Sequence, residues 1–347
     1  MPELHEPRAG IERAPALATR DWQGAQSCFV RRRDGARADS LRPLVERPTR
    51  FDREGVRAAW GLGARDSGAP PSVLAGIHHA PRASLPLASR ALGESFLSAL
   101  EEESGRLRAV RGFAALALGG GLDAALVLAG LRAVDAPLPA LLTLETGLDG
   151  YDEVERAQAI ARHFGKPLEI VRAAPGALAA LLPRAVSLAE TPLHGLHPVG
   201  RLALAQAAQA RGCAVLFTGD GADAACRGAP DLDYVPIVAS LTRGAGLRLA
   251  SPFFDAQVIA AARDPAEGKE KLRALATALG LPAWITDAPK RARAMPPIDR
   301  ALFARWEDRA QLERLALQLG EPLRLDSERA ALSWITLGLL ARALEEV

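Results

Sequence analysis

Two short stretches of this chain set glycines and a carboxylate directly after an apolar run. Phe113 to Leu118 leads into Gly119, Gly120, Gly121, Leu122 and Asp123; Ala214 to Phe217 leads into Thr218, Gly219, Asp220, Gly221, Ala222 and Asp223. Glycines let backbone approach a ligand closely, and the free N–H groups that open a following helix favour an anion. A carboxylate among such amides repels phosphate unless it caps the helix or a divalent cation lies between the two charges. If both runs are strands ending on one edge of a parallel sheet, Asp123 and Asp223 face each other with a cation between them. Hard oxygen ligands of this kind suit Mg²⁺, which takes its remaining ligands from water and nucleotide phosphates. The plain alternative is two unrelated capped turns.

The elements that must hold these loops follow from spacing. Leu92, Phe96, Leu97, Leu100 and Leu107 predict an amphipathic helix before the first loop. After that loop the pattern predicts a helix over Ala124 to Val134, a strand of ALLTL ending near Leu144, and a loop from Thr146 to Gly150. Next come a helix lined by Val154, Ala157, Ile160, Ala161 and Phe164 and ended by Gly165, then a strand over Leu168 to Val171. A helix from about Val199 to Arg211 precedes the second loop. Alternating strands and helices predict right-handed crossovers and a parallel sheet covered on both faces, with sites at the carboxyl ends of its strands. Arg300 to Val347 reads as C-terminal helices, whereas residues 1–90 form a poorly defined N-terminal extension before a domain spanning 91–347. In the extension, CFV and IHH are candidate short strands, and His78 and His79 lack a nearby ligand partner.

Composition narrows the function. With 43 Lys and Arg against 41 Asp and Glu, no general electrostatic case for nucleic acid exists. Cys28, Cys213 and Cys226 are far apart in sequence, which suggests neither a disulfide framework nor a zinc site and makes a reducing cytoplasm the expected setting. No apolar run approaches the roughly 20 residues of a membrane span.

With these motifs in order, the chain resembles the asparagine synthetase family, specifically its ATP-pyrophosphatase-loop domain, and is also similar to β-lactam synthetase. Gly119-Gly120-Gly121-Leu122-Asp123-Ala124 resembles the family's Ser-Gly-Gly-Leu-Asp-Ser, and Thr218-Gly219-Asp220-Gly221-Ala222-Asp223-Ala224 its Ser-Gly-Glu-Gly-Ala-Asp-Glu. Ser251-Pro252-Phe253-Phe254-Asp255, Lys269 with Leu272-Arg273, and Leu281-Pro282 followed by Lys290 match later motifs. The resemblance implies an α/β fold, a doubly wound, mostly parallel sheet of the adenine-nucleotide α-hydrolase-like type with additional C-terminal helices.

It also implies ATP and Mg²⁺. The glycine loop would hold pyrophosphate, Asp123 and Asp223 the metal, and backbone near Leu118, Thr146, Thr218 and Gly219 the adenosine. A small-molecule or peptide carboxylate would attack the α-phosphorus to give an acyl-adenylate, and ammonia or an amine would displace AMP. Lys290 would offset developing negative charge, and Asp220 would orient the amine or accept its proton. Plain readings stand beside these: Lys290 in a surface basic cluster with Arg291 and Arg293, Asp220 in an Asx-type turn, Asp255 as a helix cap, and Cys226 as a buried small hydrophobe.

Several family positions are changed. The loop serines are Gly119 and Ala124, which removes two hydroxyl donors, and hydrogen bonds to charged groups are worth about 1.5–3 kcal/mol each. Ala224 replaces an acid, Asp220 is shorter than the family's Glu, and Asp287-Ala288-Pro289 replaces an arginine region. Pro2 stands where the family's glutaminase half has its nucleophilic cysteine, so glutamine hydrolysis by this chain is not expected. A separate glutaminase or a precursor peptide is then the expected partner, with neither nucleic acid nor membrane. A catalytically reduced member that binds a nucleotide or a partner is the second reading.

Overall fold

In a computed structural model, residues 20–62, 71–109, 112–148, 150–193, 195–229, 234–264, 268–288 and 300–345 are described. The N-terminal part forms strands β1 (Phe29–Arg31), β2 (Arg37–Ala38) and β3 (Ile77–His79) and helix α1 (Arg53–Ala59). Helix α2 (Leu92–Ala109) leads into β4 (Phe113–Ala117), α3 (Leu122–Ala133), β5 (Ala140–Glu145), α4 (Val154–His163) and β6 (Leu168–Arg172). Then follow α5 (Pro175–Ala189), α6 (His197–Ala210), β7 (Cys213–Phe217), α7 (Ala222–Arg227), α8 (Val235–Gly244) and β8 (Arg248–Ala250). The chain continues through α9 (Ala256–Ala262), α10 (Glu270–Ala278), α11 (Ala283–Thr286), α12 (Arg309–Leu319) and α13 (Glu328–Glu345).

The central sheet has the order β6-β5-β4-β7-β8, with every pair parallel. This is the doubly wound sheet that the motifs imply. Strand alternation sends Leu116, Leu141, Val215 and Phe217 to one face, where they meet Phe96 and Leu100 of α2, Leu126 and Leu128 of α3 and Phe253. Ala115, Ala117, Leu142 and Leu216 go to the other, against Leu204, Ala205 and Ala208 of α6. Small side chains on β4 let α6 lie close to the sheet. From β4 the chain crosses to β5 on one side, and from β7 it passes to β8 on the other. The ends of β4 and β7 therefore flank the point where winding reverses, the place where a crevice opens in such sheets.

Helix α5 and strand β8 are among the elements that spacing does not show. Strand β8 is three residues long, and α5 carries Pro183 in its interior, a residue that normally argues against helix. Helix α5 packs on α13, α6 and α8, so tertiary burial outweighs the lost hydrogen bond. The N-terminal part shares a core with the C-terminal helices: Leu41, Leu44, Phe51, Val56 and Trp60 join Leu182, Leu312, Ile335 and Leu340. Trp60 and Trp334 have ring centroids 4.7 Å apart. Among the described residues, no helix is long and apolar enough to cross a membrane.

Candidate functional site at the ends of strands four and seven

Both loops end at a glycine N-cap, extended at Gly121 and left-handed at Gly221. Gly121 is the N-cap of α3 and Gly221 that of α7, so Asp123 and Asp223 are each the second residue of a helix. Neither aspartate is the cap; each carboxylate instead lies in the first turn, where the helix dipole favours negative charge. The loops touch. A Cβ on Gly219 would lie 2.6 Å from Ala124 N and 2.7 Å from the Asp123 Cβ, so only glycine permits this approach. Gly221 has φ +92°, a backbone that side chains rarely adopt.

Across this contact the two carboxylates converge on one atom. Lys269 Nζ, at the start of α10, donates to Asp123 Oδ1 and Oδ2 at 2.7 and 2.6 Å and lies 3.0 Å from Asp223 Oδ1. Burial lowers the Lys269 pKa, but the two aspartates more than offset this, and the net shift is upward. The ammonium is thus held charged. A pair of hard oxygen donors close enough to share one cation fits Mg²⁺ that completes its shell with water and phosphate oxygens. Among the described residues no cluster of three or more His, Cys, Asp or Glu could hold a metal by itself.

A cavity of about 400 Å³ opens here, lined by Leu118, Gly119, Gly120, Gly121 and Asp123 from the first loop and Thr218, Gly219, Asp220 and Asp223 from the second. Asp220 is fixed rather than loose: Arg201 Nη2 lies 3.1 and 3.0 Å from its two carboxylate oxygens, and Thr218 Oγ1 donates to it at 2.7 Å. Burial lowers the Arg201 pKa, yet Asp220, Tyr234 and Tyr151 raise it above the usual arginine value. Ser251 Oγ donates to the Asp220 carbonyl at 2.9 Å, tying the loop to the turn after β8. The Asx-type turn is not what Asp220 makes.

Thr146 lies apart from the cavity lining. It is buried at the end of β5, and its N–H and hydroxyl donate to the Asp152 carboxylate at 2.9 and 2.8 Å. Lys290, with Asp149, lies outside the described residues. Asp255 does cap a helix, accepting from Gln257 N and Val258 N at 2.9 and 3.0 Å. Cys226 is buried, and burial pushes its thiol up to about 11, so the small-hydrophobe reading holds.

Further residues converge on the cavity without having been singled out from spacing. Tyr151 Oη and His197 Nδ1 are 2.9 Å apart on its wall. Arg273 lies one turn after Lys269 along α10, an i,i+4 relation that puts both cations on one face. Glu153 accepts the Gly120 N–H at 3.0 Å, which places a carboxylate on an amide of the glycine loop. The signal for Lys269 was present as part of a motif; its pairing with two aspartates 146 and 46 residues away required the fold.

Comparison with known proteins follows this geometry. Residues 105–236 match the asparagine synthase family, so the resemblance is borne out over the segment carrying both loops. Amidase chyE of Penicillium rubens is 40% identical over 74 residues, 21% of this chain and 11% of the amidase, so only a small fraction of that protein's length is matched. Two solved structures are similar in outline. NMN synthetase from Francisella tularensis is 14% identical with a TM-score of 0.40, covering 67% of this chain and 94% of that one. NH3-dependent NAD synthetase from Campylobacter jejuni, in complex with the nitrate ion, is 15% identical with a TM-score of 0.35, covering 66% and 92%.

Proposed function

We propose that this protein forms an amide bond by activating a carboxylate with ATP and passing the acyl group to ammonia or an amine. The observation that carries the proposal is the convergence of Asp123 and Asp223 on one cation position across the winding reversal. In this reading the loop amides after β4 hold the pyrophosphate part of ATP. Asp123 and Asp223 hold Mg²⁺, which when bound neutralises phosphate charge. Lys269 and Arg273 add fixed positive charge on the same wall, and the family resemblance gives Lys290 a charge-offsetting role as well. The substrate carboxylate oxygen attacks the α-phosphorus and pyrophosphate leaves; the amine nitrogen then attacks the acyl carbon and AMP leaves. Asp220, oriented by Arg201 and Thr218, accepts the proton that the amine releases. Little covalent help is needed, because phosphorus transfer is governed by positioning and charge neutralisation.

One pair of contacts favours a second reading, a reduced member that binds a nucleotide or partner without turnover. Glu153 occupies a loop amide and Lys269 occupies the aspartate pair, so the site is satisfied from within. ATP must then displace both contacts. The two readings separate in a calorimetric titration with MgATP followed by a pyrophosphate-release assay over a panel of carboxylates. Binding with carboxylate-dependent release supports the ligase; absence of binding at millimolar MgATP would sink it.

A further inference from the structure

A second cavity, about 370 Å³, lies between the N-terminal part and helices α5 and α8, and shares no lining residue with the first. Its volume is within the range of about 300–1,000 Å³ that accepts small organic molecules. Much of its wall is apolar, with Leu41 and Val73 on one side and Leu188 and Ile237 on the other. At one end sit Arg20 and Arg82, placed side by side by backbone pairing: Arg20 N donates to Pro81 O at 3.0 Å and Ala83 N to Arg20 O at 2.8 Å.

Arg20 is the anomaly. It is 6% exposed, and its Nε has no hydrogen-bond acceptor. Asp39 also lines the cavity, and the other two carboxylates nearby are committed elsewhere. Asp21 accepts from the backbone N–H groups of Gly24, Ala25 and Gln26, and Glu190 is paired with Arg42 while also accepting the Leu41 N–H. His79, against Phe29 on the same wall, is kept neutral: burial, then Arg20 and Arg82, push its pKa down to about 3. Burial and the neighbouring Arg82 also lower Arg20 itself, to about 10. Asp21 offsets part of the Arg20 charge, but a buried donor without an acceptor still costs free energy, and natural interiors normally pair it.

We infer that this cavity binds a small organic acid, its carboxylate on Arg20 and its apolar body between α1 and α8. The ligand class follows from the two ends of the cavity. A guanidinium fork matches a carboxylate in plane and hydrogen-bond direction, and the apolar stretch of wall formed by Leu41, Val73, Leu188 and Ile237 suits the hydrocarbon part of the molecule. A bare inorganic anion would satisfy Arg20 and leave the apolar volume unfilled. The site stands independently of the ATP reading, since none of its residues belongs to the strand-edge loops.

The test uses the whole 347-residue chain and a thermal melt with sodium octanoate, 1-octanol and inorganic phosphate as separate probes. Octanoate should raise Tm by about 2–4 °C at saturation, octanol and phosphate should not, and Arg20→Met should abolish the octanoate shift. An equal shift in Arg20→Met, an equal shift with octanol, or a shift with phosphate but not octanoate would each overturn the assignment. If Arg20→Met does not fold, photolabelling of the natural chain with a diazirine-bearing fatty acid decides. Labels on residues 40–59 and 236–244, competed by octanoate, support the site; labels confined to the strand-edge loops refute it.

Discussion

Two cavities of nearly equal size, about 400 and 370 Å³, treat their cations in opposite ways. At the strand edge Lys269 has two aspartates and Arg201 has Asp220, so the cations and carboxylates there answer one another. In the cavity under the N-terminal part, Arg20 has no acceptor at Nε. The first cavity is organised to exchange partners when a charged substrate enters, and the second to receive one that it lacks. This difference also explains why motif matching found one and not the other. Glycine loops bear a recognisable spacing, whereas a lone arginine next to Asp21 has none.

Substitutions can break the contrast in order of effect. Asp220→Asn should lower amide formation by about 10²–10⁴-fold while sparing pyrophosphate release, read by following both products in parallel; equal loss of both would remove the proton-accepting role. Asp220→Ala should in addition destabilise the fold by about 3–5 kcal/mol, because Arg201 loses its carboxylate partner, measurable by urea unfolding. Asp123→Asn should cut pyrophosphate release by about 10²–10³-fold, and unchanged turnover would remove the metal-site reading. The paired change Gly119→Ser and Ala124→Ser should tighten ATP by about tenfold or more through two restored donors, read by calorimetry.

Acid titration probes the other cavity. His79 is neutral when folded, with a pKa of about 3, whereas the unfolded chain takes up that proton near pH 6.5. Protons therefore favour the unfolded state between those values, and stability falls as pH drops from about 6.5 toward 3. His79→Gln should flatten that part of a Tm-versus-pH curve. The smallest effect is none: Cys226, with its thiol raised to about 11, should resist iodoacetamide in the folded protein at pH 8.

Much of the sheet could be read in advance because its strands are short apolar runs punctuated by glycine. The loops were readable for the same reason, and Asp123, Asp223, Asp220, Thr218 and Gly219 do line one cavity. What stayed hidden depends on three-dimensional proximity. Glu153 meets Gly120, Tyr151 meets His197 and Arg201 meets Asp220 only once α4, α6 and β7 are assembled. Thr146 was placed by its strand end, but Asp152, six residues on, takes its hydrogen bonds.

The tilted contact between Trp60 and Trp334 decides where this gene can be cut. A fragment begun at residue 91 to isolate the part with the glycine loops would remove Leu41, Phe51, Val56 and Trp60 from their shared core. It would also remove Gln23, whose side-chain amide donates to Gly221 O at 3.2 Å and Phe253 O at 3.3 Å, behind the second loop. Helix α13 would then present a sticky stripe to water. For anyone preparing this protein, Leu41, Phe51, Val56 and Trp60 are the cover that keeps the apolar side of α13 out of water.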